Sequence, residues 1–281
     1  MPEVSSVSGN SDLIMEVSIK GIGIGGANPP RLMGVLNISP ESFFSDSFTP
    51  YELVTTRVEE MRRAGADIID IGARSTALTA PPITVAEEKE RVIRTLKNLE
   101  DSGAVFSLDT MYPEVLEAAL RYNIDAVNDI GGLSNVRYAK VAADSGLPII
   151  AMTAHNRPGD PTNIASTHEA LREIIVRAEH YNIDQLILDP GIGKWIAERS
   201  SEADWELCRR FSELDVYGYP LLAAASRKTF IGDCLDKPPH ERLYGSLAVL
   251  YALLEGGADI VRVHDVGPSK DILKVFQMMH P

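Results

Sequence analysis

Eight short apolar runs, separated by segments of helical pattern, constrain the fold of this chain more than any other feature of its sequence. The runs are rich in Ile, Val and Leu and show no regular polar alternation, which is typical of parallel strands that are covered on their outer face. Their starts lie about 20 to 40 residues apart, which leaves room for one helix and two loops between successive strands. The predicted strands are 32–37, 67–71, 105–109, 126–130, 148–152, 185–189, 220–224 and 259–263.

The segments between these runs carry helix signals. Residues 87–100 place apolar side chains at helical spacing, and another segment opens with Pro113, which suits a first helical position, with Thr110 as a nearby capping residue. Eight strand–helix units within about 250 residues predict an α/β fold of the closed (β/α)8 type, a TIM barrel. No Gly-x-Gly-x-x-Gly follows the first strand, which argues against an open dinucleotide-binding sheet.

A glycine-rich segment, 14–26, precedes the first long strand and alternates in polarity. We interpret it as a short β-hairpin that closes the N-terminal mouth of the barrel. No linker or change of composition divides the chain, so residues 1–281 are expected to form a single domain.

Charge and cysteine usage exclude several classes of protein. The formal net charge is −13, with 40 acidic against 27 basic residues, which argues against a nucleic-acid-binding surface. No apolar stretch reaches the roughly 18 residues of a membrane span, and the N-terminus lacks the basic start and apolar run of a secretory signal. The cysteines, Cys208 and Cys234, lie far apart, so a disulfide framework or a zinc site is not expected. We expect a cytoplasmic protein without nucleic-acid or membrane partners.

Polar side chains end nearly every predicted strand, and the C-terminal strand ends are where a TIM barrel carries its active site. Asp109, Asn128 and Asp189 are acceptors or mixed donor–acceptors on three different strands. Such a set suits a flat heterocycle with several N–H donors, because a buried carboxylate without a donor is costly. Each Asp alone could cap a loop or pair with a local Lys, but together at one mouth they indicate a binding site.

Cationic side chains follow the last two strands. Lys228 ends the seventh strand, and Arg262 and His264 end the eighth. In TIM barrels the loops after strands 7 and 8 frequently bind phosphate. Arg suits such a site through its planar guanidinium and Lys through its compact charge. Asn37, on the first strand and hence beside the eighth, would complete the cradle or reach a magnesium ion. The run 226–228 could instead be a solvated turn, whereas Arg and His on a strand need partners.

Seven segments of the chain carry a shared signature. They are MGVLNISPESFFSD (33–46), GADIIDIGARST (65–76), FSLDT (106–110), AVNDIGG (126–132), LILDPGIG (186–193), SRKTFIG (226–232) and RVHDV (262–266). In this order and spacing they resemble the motifs of the dihydropteroate synthase family of pterin-binding TIM barrels. The resemblance extends over residues 32–266.

The resemblance implies an enzyme that joins a dihydropterin-CH2-diphosphate to the amine of p-aminobenzoate and releases diphosphate, a step of folate biosynthesis. It implies Mg2+ as cofactor, small molecules as its substrates, and a homodimer formed through outer helices. The implied pterin-binding residues are Asp109, Asn128, Asp189 and Lys228. The implied diphosphate-binding residues are Asn37, Arg262 and His264, with Asn37 also the metal ligand.

The second substrate and the catalytic step have their own implied residues. Ser75, Thr76 and Ser226 would lie near the arylamine. The implied catalytic residues are Lys228, Arg262, His264 and Asp46, the last on a first loop, 38–49, that would close over the intermediate.

Three loops depart from the family pattern. In the Gly-Glu-Ser-Thr-Arg-Pro-Gly motif after the second strand, the glutamate becomes Arg74 and the arginine becomes Ala77. The Gly-Phe-Gly-Lys motif after the sixth strand is altered around Lys194 and Trp195. We expect the side chain of Trp195 to pack against the protein rather than to stack on a ligand. After the fifth strand AMTAHNRPGD (151–160) replaces a Met-His-Met pattern. All three loops are expected near the second substrate.

These departures leave alternatives open. One is an archaeal-type synthase of the methanopterin pathway, which uses a ribofuranosyl-aminobenzene phosphate as its amine. Another is a pterin-binding methyltransferase or a non-catalytic relative. The diphosphate ligands Arg262 and His264 argue against this last class, because a methyl-transfer site has no need of them.

Overall fold

Eight parallel strands form a barrel in the structure, a computed structural model that describes residues 15–41, 47–78 and 80–280. All eight predicted strands are confirmed, with ends that differ from the prediction by two residues at most. The barrel strands are β3 Arg31–Asn37, β4 Ile68–Gly72, β5 Phe106–Asp109, β6 Ala126–Asp129, β7 Ile149–Met152, β8 Leu186–Asp189, β9 Leu222–Ala223 and β10 Ile260–Val263.

The strand order confirms the closed barrel. Neighbouring strands follow the order β8-β7-β6-β5-β4-β3-β10-β9, and a parallel bridge between Leu188 and Leu221 joins the two ends of this sheet. The first long strand, β3, therefore lies between β4 and the last strand, β10. This closure brings residues from the two ends of the chain to one mouth.

Helices alternate with the strands and cover the outside. They are α1 Val54–Arg63, α2 Val85–Leu99, α3 Pro113–Ala119, α4 Val136–Ser145, α5 Ile164–His180, α6 Ser201–Arg209, α7 Thr229–Leu235, α8 Leu243–Glu255 and α9 Val266–Met279. Helix α2 begins two residues before its predicted start because Thr84 and Glu87 form a reciprocal capping box. Pro113 is the first residue of α3, as predicted, and the hydroxyl of Thr110 accepts the N–H of Tyr112 just ahead of it at 3.3 Å.

The predicted N-terminal hairpin is present. Strands β1 (Val17–Ile19) and β2 (Ile22–Ile24) pair antiparallel across Lys20 and Gly21, both of which have positive φ. Val17, Ile19 and Ile24 are buried in one cluster with apolar residues near the starts of the barrel strands, such as Ile68 and Ile260. The hairpin thus plugs the N-terminal mouth.

The barrel has a polar layer above this apolar plug. Alternate residues of a strand face the interior, so a strand that begins with an inward apolar residue can present an inward polar one two positions later. On β10, Ile260 belongs to the inner apolar cluster, and Arg262 lies one layer higher, where it bonds to Asp70 of β4. The side chains of Ser107 and Asn128 are also buried. Strands β4, β5, β6, β8 and β10 therefore carry polar side chains toward the C-terminal mouth.

Candidate active site

A cavity of about 320 Å3 opens at the C-terminal ends of the strands. Its wall is made by the ends of β3, β4, β5 and β10 and by the loops after β4, β8 and β9. The lining residues are Val35, Asn37, Ser39, Gly72, Arg74, Ser75, Thr76, Ala77, Leu78, Asp109, Lys194, Trp195, Lys228, Thr229, Arg262 and His264.

Most of the predicted site residues meet at this cavity. Those on its wall are Asn37, Ser75, Thr76, Asp109, Lys228, Arg262 and His264. Asn128, Asp189 and Ser226 are not among the lining residues; all three are buried. Asp46 lies outside the residues that the structure describes, so its role and the closure of the first loop stay predictions.

Arg262 joins two carboxylates at the floor of the cavity. Its Nε donates to Oδ2 of Asp70 at 2.7 Å, and its Nη2 donates to Oδ2 of Asp109 at 2.8 Å. The amide of Asn128 donates to the same Asp70 oxygen at 3.0 Å. These bonds join strands β4, β5, β6 and β10 in one ionic centre.

The carboxylates of Asp70 and Asp109 share a single counter-charge, the guanidinium of Arg262. Burial raises the pKa of Asp109 to about 7, although Arg262 opposes the rise, and the neighbouring charge of Asp70 adds to it. The same carboxylates raise the pKa of Arg262 despite its burial, so the guanidinium stays charged. Asp109 is therefore poised between its neutral and ionised forms near neutral pH.

Two acceptor atoms beneath the cavity have no hydrogen-bond partner among the described residues. They are Oδ1 of Asp70 and Oδ1 of Asn128, and both are buried. A buried acceptor without a donor costs about 1–3 kcal/mol. The pair therefore favours a ligand that presents N–H groups at this point.

Lys228 and Asp189 form the opposite side of the site. Nζ of Lys228 donates to the carbonyl of Ile192 at 2.7 Å and lies 4.6 Å from the centre of the Trp195 ring. Burial lowers the pKa of Lys228 to about 8, against the attraction of Asp189. Asp189 accepts the N–H of Gly191 at 2.8 Å, and burial raises its pKa.

Trp195 lies beside Lys228 at the wall of the cavity. It packs, as expected, with its side chain against Gly159, but it also lines the cavity and faces the Lys228 ammonium. A tryptophan face attracts a cation, which contributes to the fixed position of Lys228. Its sequence position, two residues after Gly193 in an altered loop, was the available signal.

His264 is held by Ser226. The hydroxyl oxygen of Ser226 accepts the backbone N–H of His264 at 3.2 Å and lies 3.1 Å from the ring Nδ1. Burial and the nearby charge of Arg262 lower the pKa of His264 to about 3, so its imidazole is neutral. The residues that follow Ser226 and His264 along the chain also bind each other. Arg227, which has a φ of 57°, forms a bidentate ion pair with Asp265 at 2.7 Å.

Asn37 is bound to two serines at the cavity edge. Its Oδ1 accepts both the N–H and the hydroxyl of Ser39, at 3.0 and 2.6 Å, and its amide donates to Ser47 at 2.8 Å. In the described parts of the chain, no group of three or more His, Cys, Asp or Glu side chains could hold a metal ion. An ion at Asn37 would thus take most of its ligands from a bound anion and from water, which is how Mg2+ commonly binds.

The altered loop after β4 is fixed by a buried ion pair that the sequence did not reveal. Nε of Arg74 donates to Glu88 at 2.5 Å, and its Nη1 donates to the carbonyl of Ile83 at 2.7 Å. The other oxygen of Glu88 accepts the hydroxyl of Thr110 at 2.6 Å, and the guanidinium lies over the Tyr112 ring. Arg74 thereby ties its loop to α2 and to the end of β5.

Thr229 also lines the cavity and was not among the predicted site residues. It begins α7 directly after Lys228 and is exposed to the cavity. Its backbone N–H lies at the start of a helix and its hydroxyl can donate as well, so the position suits an anionic group. The signal was its place next to Lys228 in the SRKT run.

Comparison with known proteins agrees with this geometry. The family model described as pterin binding enzyme matches residues 33–264. The dihydropteroate synthase of Synechocystis sp. is 37% identical over 257 residues, which cover 87% of this chain and 88% of that protein.

Solved structures give the same result. A dihydropteroate synthase of Yersinia pestis in complex with a sulfonamide drug has a TM-score of 0.85 at 27% identity, covering 95% of this chain and 99% of that one. A dihydropteroate synthase of Xanthomonas albilineans with 4-aminobenzoic acid has a TM-score of 0.84 at 31% identity, covering 94% and 98%.

Proposed function

The chain belongs to the pterin-binding enzyme family, and we infer that it is a dihydropteroate synthase. It joins the methylene carbon of a dihydropterin-CH2-diphosphate to the amine nitrogen of p-aminobenzoate and releases diphosphate, a step of folate biosynthesis. The observation that carries this conclusion is the convergence of Asp109, Lys228, Arg262 and His264, from three separate motifs, on one cavity at the catalytic mouth of the barrel.

The acceptor groups of the floor would bind the pterin ring. An ionised Asp109 accepts ring N–H groups. The Oδ1 atoms of Asp70 and Asn128, which have no hydrogen-bond partner among the described residues, offer further acceptors below it. Lys228 supplies a donor for a ring carbonyl or nitrogen from the other side. Asp189 supports Lys228 electrostatically. Acceptors on one side and a cation on the other match the donor and acceptor edges of an aminopyrimidinone ring.

The cationic groups would stabilise the leaving diphosphate. As the bond from the methylene carbon to oxygen breaks, negative charge grows on the diphosphate and a delocalised cation forms on the pterin. The fixed charge of Arg262 and the ring of the neutral His264 are in place before the reaction, so no reorganisation is needed when the charge develops. The amine then attacks, and no covalent enzyme intermediate is required.

Magnesium fits this site as an ion that binds together with the diphosphate. Asn37 offers an amide oxygen of the kind that Mg2+ prefers, once the Ser39 hydroxyl turns away from it. When bound, the ion would neutralise charge on the leaving group.

The loop after β4 would hold the arylamine end of the cavity. Ser75 and Thr76 lie on the wall, and Ala77 and Leu78 give it an apolar surface for the benzene ring. Lys194 and the Thr229 end of α7 lie on the same cavity and suit the carboxylate of p-aminobenzoate.

A homodimer through α8 and α9 fits the surface of the molecule. Helix α8 is apolar on nearly all sides, and Tyr244 on it is exposed together with Val275, Met278 and Met279 on α9. A helix of this kind is usually buried. No helix in the described residues is long and apolar enough to span a bilayer. We propose that the dimer works in the cytoplasm.

The activity is tested by incubating the protein with dihydropterin-CH2-diphosphate, Mg2+ and p-aminobenzoate. Diphosphate and the coupled pterin product are measured and should form in equal amounts. Parallel reactions contain the ribofuranosyl-aminobenzene phosphate, or no amine. The proposal expects amine-dependent diphosphate release with p-aminobenzoate. Release only with the phosphorylated amine, or none with any amine, would contradict it.

Arg262 gives a sharper test of the mechanism. Arg262→Lys keeps a positive charge but loses the fork that serves Asp70 and Asp109, and we expect turnover to fall by roughly 100-fold. Arg172→Lys, on the surface of α5, is the matched control and should leave turnover unchanged. Wild-type turnover in Arg262→Lys, with the fold intact by circular dichroism, would remove the guanidinium from the mechanism.

A further inference from the structure

Ser226 contacts both the backbone and the ring of His264, and the donors and acceptors of its hydroxyl limit the directions of these two hydrogen bonds. A serine hydroxyl has one hydrogen to donate and two lone pairs with which to accept. One lone pair of Ser226 accepts the backbone N–H of His264 at 3.2 Å. The hydroxyl hydrogen then needs an acceptor of its own, and Nδ1 of His264 lies 3.1 Å away.

The opposite arrangement is less favourable. If Nδ1 carried the hydrogen and donated to the hydroxyl, Ser226 would accept twice from the same residue, and its hydrogen would need a third group. Among the residues that the structure describes, the Ser226 hydroxyl has no bond to any other acceptor. Ser226 is also buried, so water is a poor substitute.

The neutral form of His264 makes the choice of nitrogen meaningful. Burial has the largest effect and lowers the pKa of the ring. Among the described residues, Arg262, Arg227 and Lys228 lower the pKa further, whereas Asp265 raises it. The imidazole therefore carries one hydrogen, on Nδ1 or on Nε2.

The backbone around Ser226 is rigid enough to impose this choice. The bidentate pair of Arg227 with Asp265 ties the residue after Ser226 to the residue after His264. The backbone N–H of Arg227 also donates to Ser246 at 2.8 Å, and the guanidinium donates to the carbonyl of Pro239 at the same distance. The loops after β9 and β10 therefore hold the two side chains in register.

We propose that Ser226 is a positioning residue for His264: its hydroxyl donates to Nδ1 and so keeps the ring hydrogen on Nε2, which donates to an oxygen of the departing diphosphate. This rests on the proposed function for the identity of the anion. The ring then supplies a hydrogen bond without a further charge beside Arg262 and Lys228. It also gives Ser226 a role other than the contact with the arylamine that the family resemblance implies.

The tautomer is measured directly, by 15N NMR of the protein labelled at histidine, with His264→Gln used to assign the signal. We expect Nδ1 of the wild type to have the shift of an acceptor nitrogen and Nε2 that of an N–H nitrogen. In Ser226→Ala the two shifts should move toward each other, because the hydroxyl donor is gone. A wild-type ring with its hydrogen on Nδ1 would overturn the proposal.

Kinetics separate this role from a role in binding the amine. Ser226→Ala should lower kcat about tenfold, and the KM for p-aminobenzoate should change less than twofold. Ser226→Thr, which keeps a hydroxyl, should restore most of the rate. The control is Ser145→Ala on α4, where the hydroxyl bonds to the carbonyl of Ala142 far from the site.

These outcomes separate the role of Ser226 from the activity of the enzyme. A raised KM for p-aminobenzoate with unchanged kcat would contradict the positioning role and favour contact with the amine. Failure of the wild type to release diphosphate with any amine would overturn the proposed function, whereas the NMR result would still decide whether Ser226 fixes the tautomer.

Discussion

At the level of single residues, burial brings the pKa values of two site residues, Asp109 and Lys228, close to neutral pH. Burial raises the pKa of Asp109 to about 7 and lowers the pKa of Lys228 to about 8. The first shift arises because burial disfavours the charged carboxylate, an effect that Arg262 opposes and Asp70 reinforces. The second arises because the ammonium is buried with only partial compensation by Asp189. A ring that donates to Asp109 and accepts from Lys228 needs the first ionised and the second protonated.

These shifts predict how pterin binding depends on pH. Below about pH 7 Asp109 takes up a proton and loses an acceptor, and above about pH 8 Lys228 loses its charge, so the affinity should be greatest between these values. We expect the dissociation constant for a 6-hydroxymethylpterin, measured by calorimetry, to rise on both sides of this window.

Asp109→Asn tests the assignment of the acid side. In this variant the affinity should be lower at its optimum but should no longer fall as the pH drops from 7 to 5.5. Persistence of the acid limb in the variant would mean that another group is responsible, and a flat wild-type profile would show that neither residue controls binding.

At the scale of elements, the loop after β4 depends on an ion pair that reaches a neighbouring helix. Arg74 and Glu88 have side chains that are 15% and 1% exposed, and Glu88 also receives the hydroxyl of Thr110 after β5. A strand end, a helix and the next strand end are joined by these three side chains. The wall that carries Ser75 and Thr76 is thus formed before any substrate binds.

Removal of Arg74 should therefore cost stability as well as affinity. Arg74→Ala leaves Glu88 buried without its counter-charge, and we expect the free energy of unfolding in urea to fall by about 3 kcal/mol. The KM for p-aminobenzoate should rise, while the affinity for the pterin, which contacts other strands, should stay nearly unchanged.

A double-mutant cycle isolates the pair. Glu88→Gln in the Arg74→Ala background should recover part of the lost stability, because the uncompensated charge is removed. The matched control is Arg63→Ala, whose pair with Glu59 on α1 is exposed and should contribute less than about 1 kcal/mol. Equal effects of the two Arg substitutions would contradict the importance of burial.

At the scale of the whole molecule, one mouth of the barrel is closed and the other is open. The hairpin seals the N-terminal mouth with apolar residues, and the charged groups gather at the C-terminal mouth. On the outer ring, α8 and α9 expose large apolar side chains, those of Tyr244, Val275, Met278 and Met279. Exposed apolar side chains on neighbouring helices are compatible with an interaction surface.

The proposed homodimer can be tested by substitution of these side chains. Tyr244→Glu combined with Met278→Glu should convert a particle of twice the 30.7 kDa chain mass into a monomer, as measured by sedimentation equilibrium. Val176→Glu, at an exposed apolar residue of α5, serves as the control and should leave the mass unchanged. A monomeric wild type would exclude the dimer, and a dimer that resists the double substitution would place its interface elsewhere.

Much of the site could be predicted because strand ends are a local property. The change from apolar to polar residues at Asp109, Asn128 and Asp189 locates each strand end, and the barrel topology then places these ends at one mouth. Thr229 was harder to assign, because the helix that it begins, α7, has only seven residues and shows no long helical pattern. Asp70 could be recognised as a polar residue at the end of the second apolar run, but its ion pair with Arg262 depends on closure of the barrel.

The order and type of the elements, the closed barrel and the family could all be derived from the sequence, because periodicity and motif order are carried by neighbouring residues along the chain. The partners of the buried polar groups could be seen only in the folded molecule: Arg262 with Asp70 and Asp109, Ser226 with His264, and Arg74 with Glu88. A buried charge or hydroxyl takes the partner that barrel closure and helix packing bring within about 3 Å, whatever its distance along the chain.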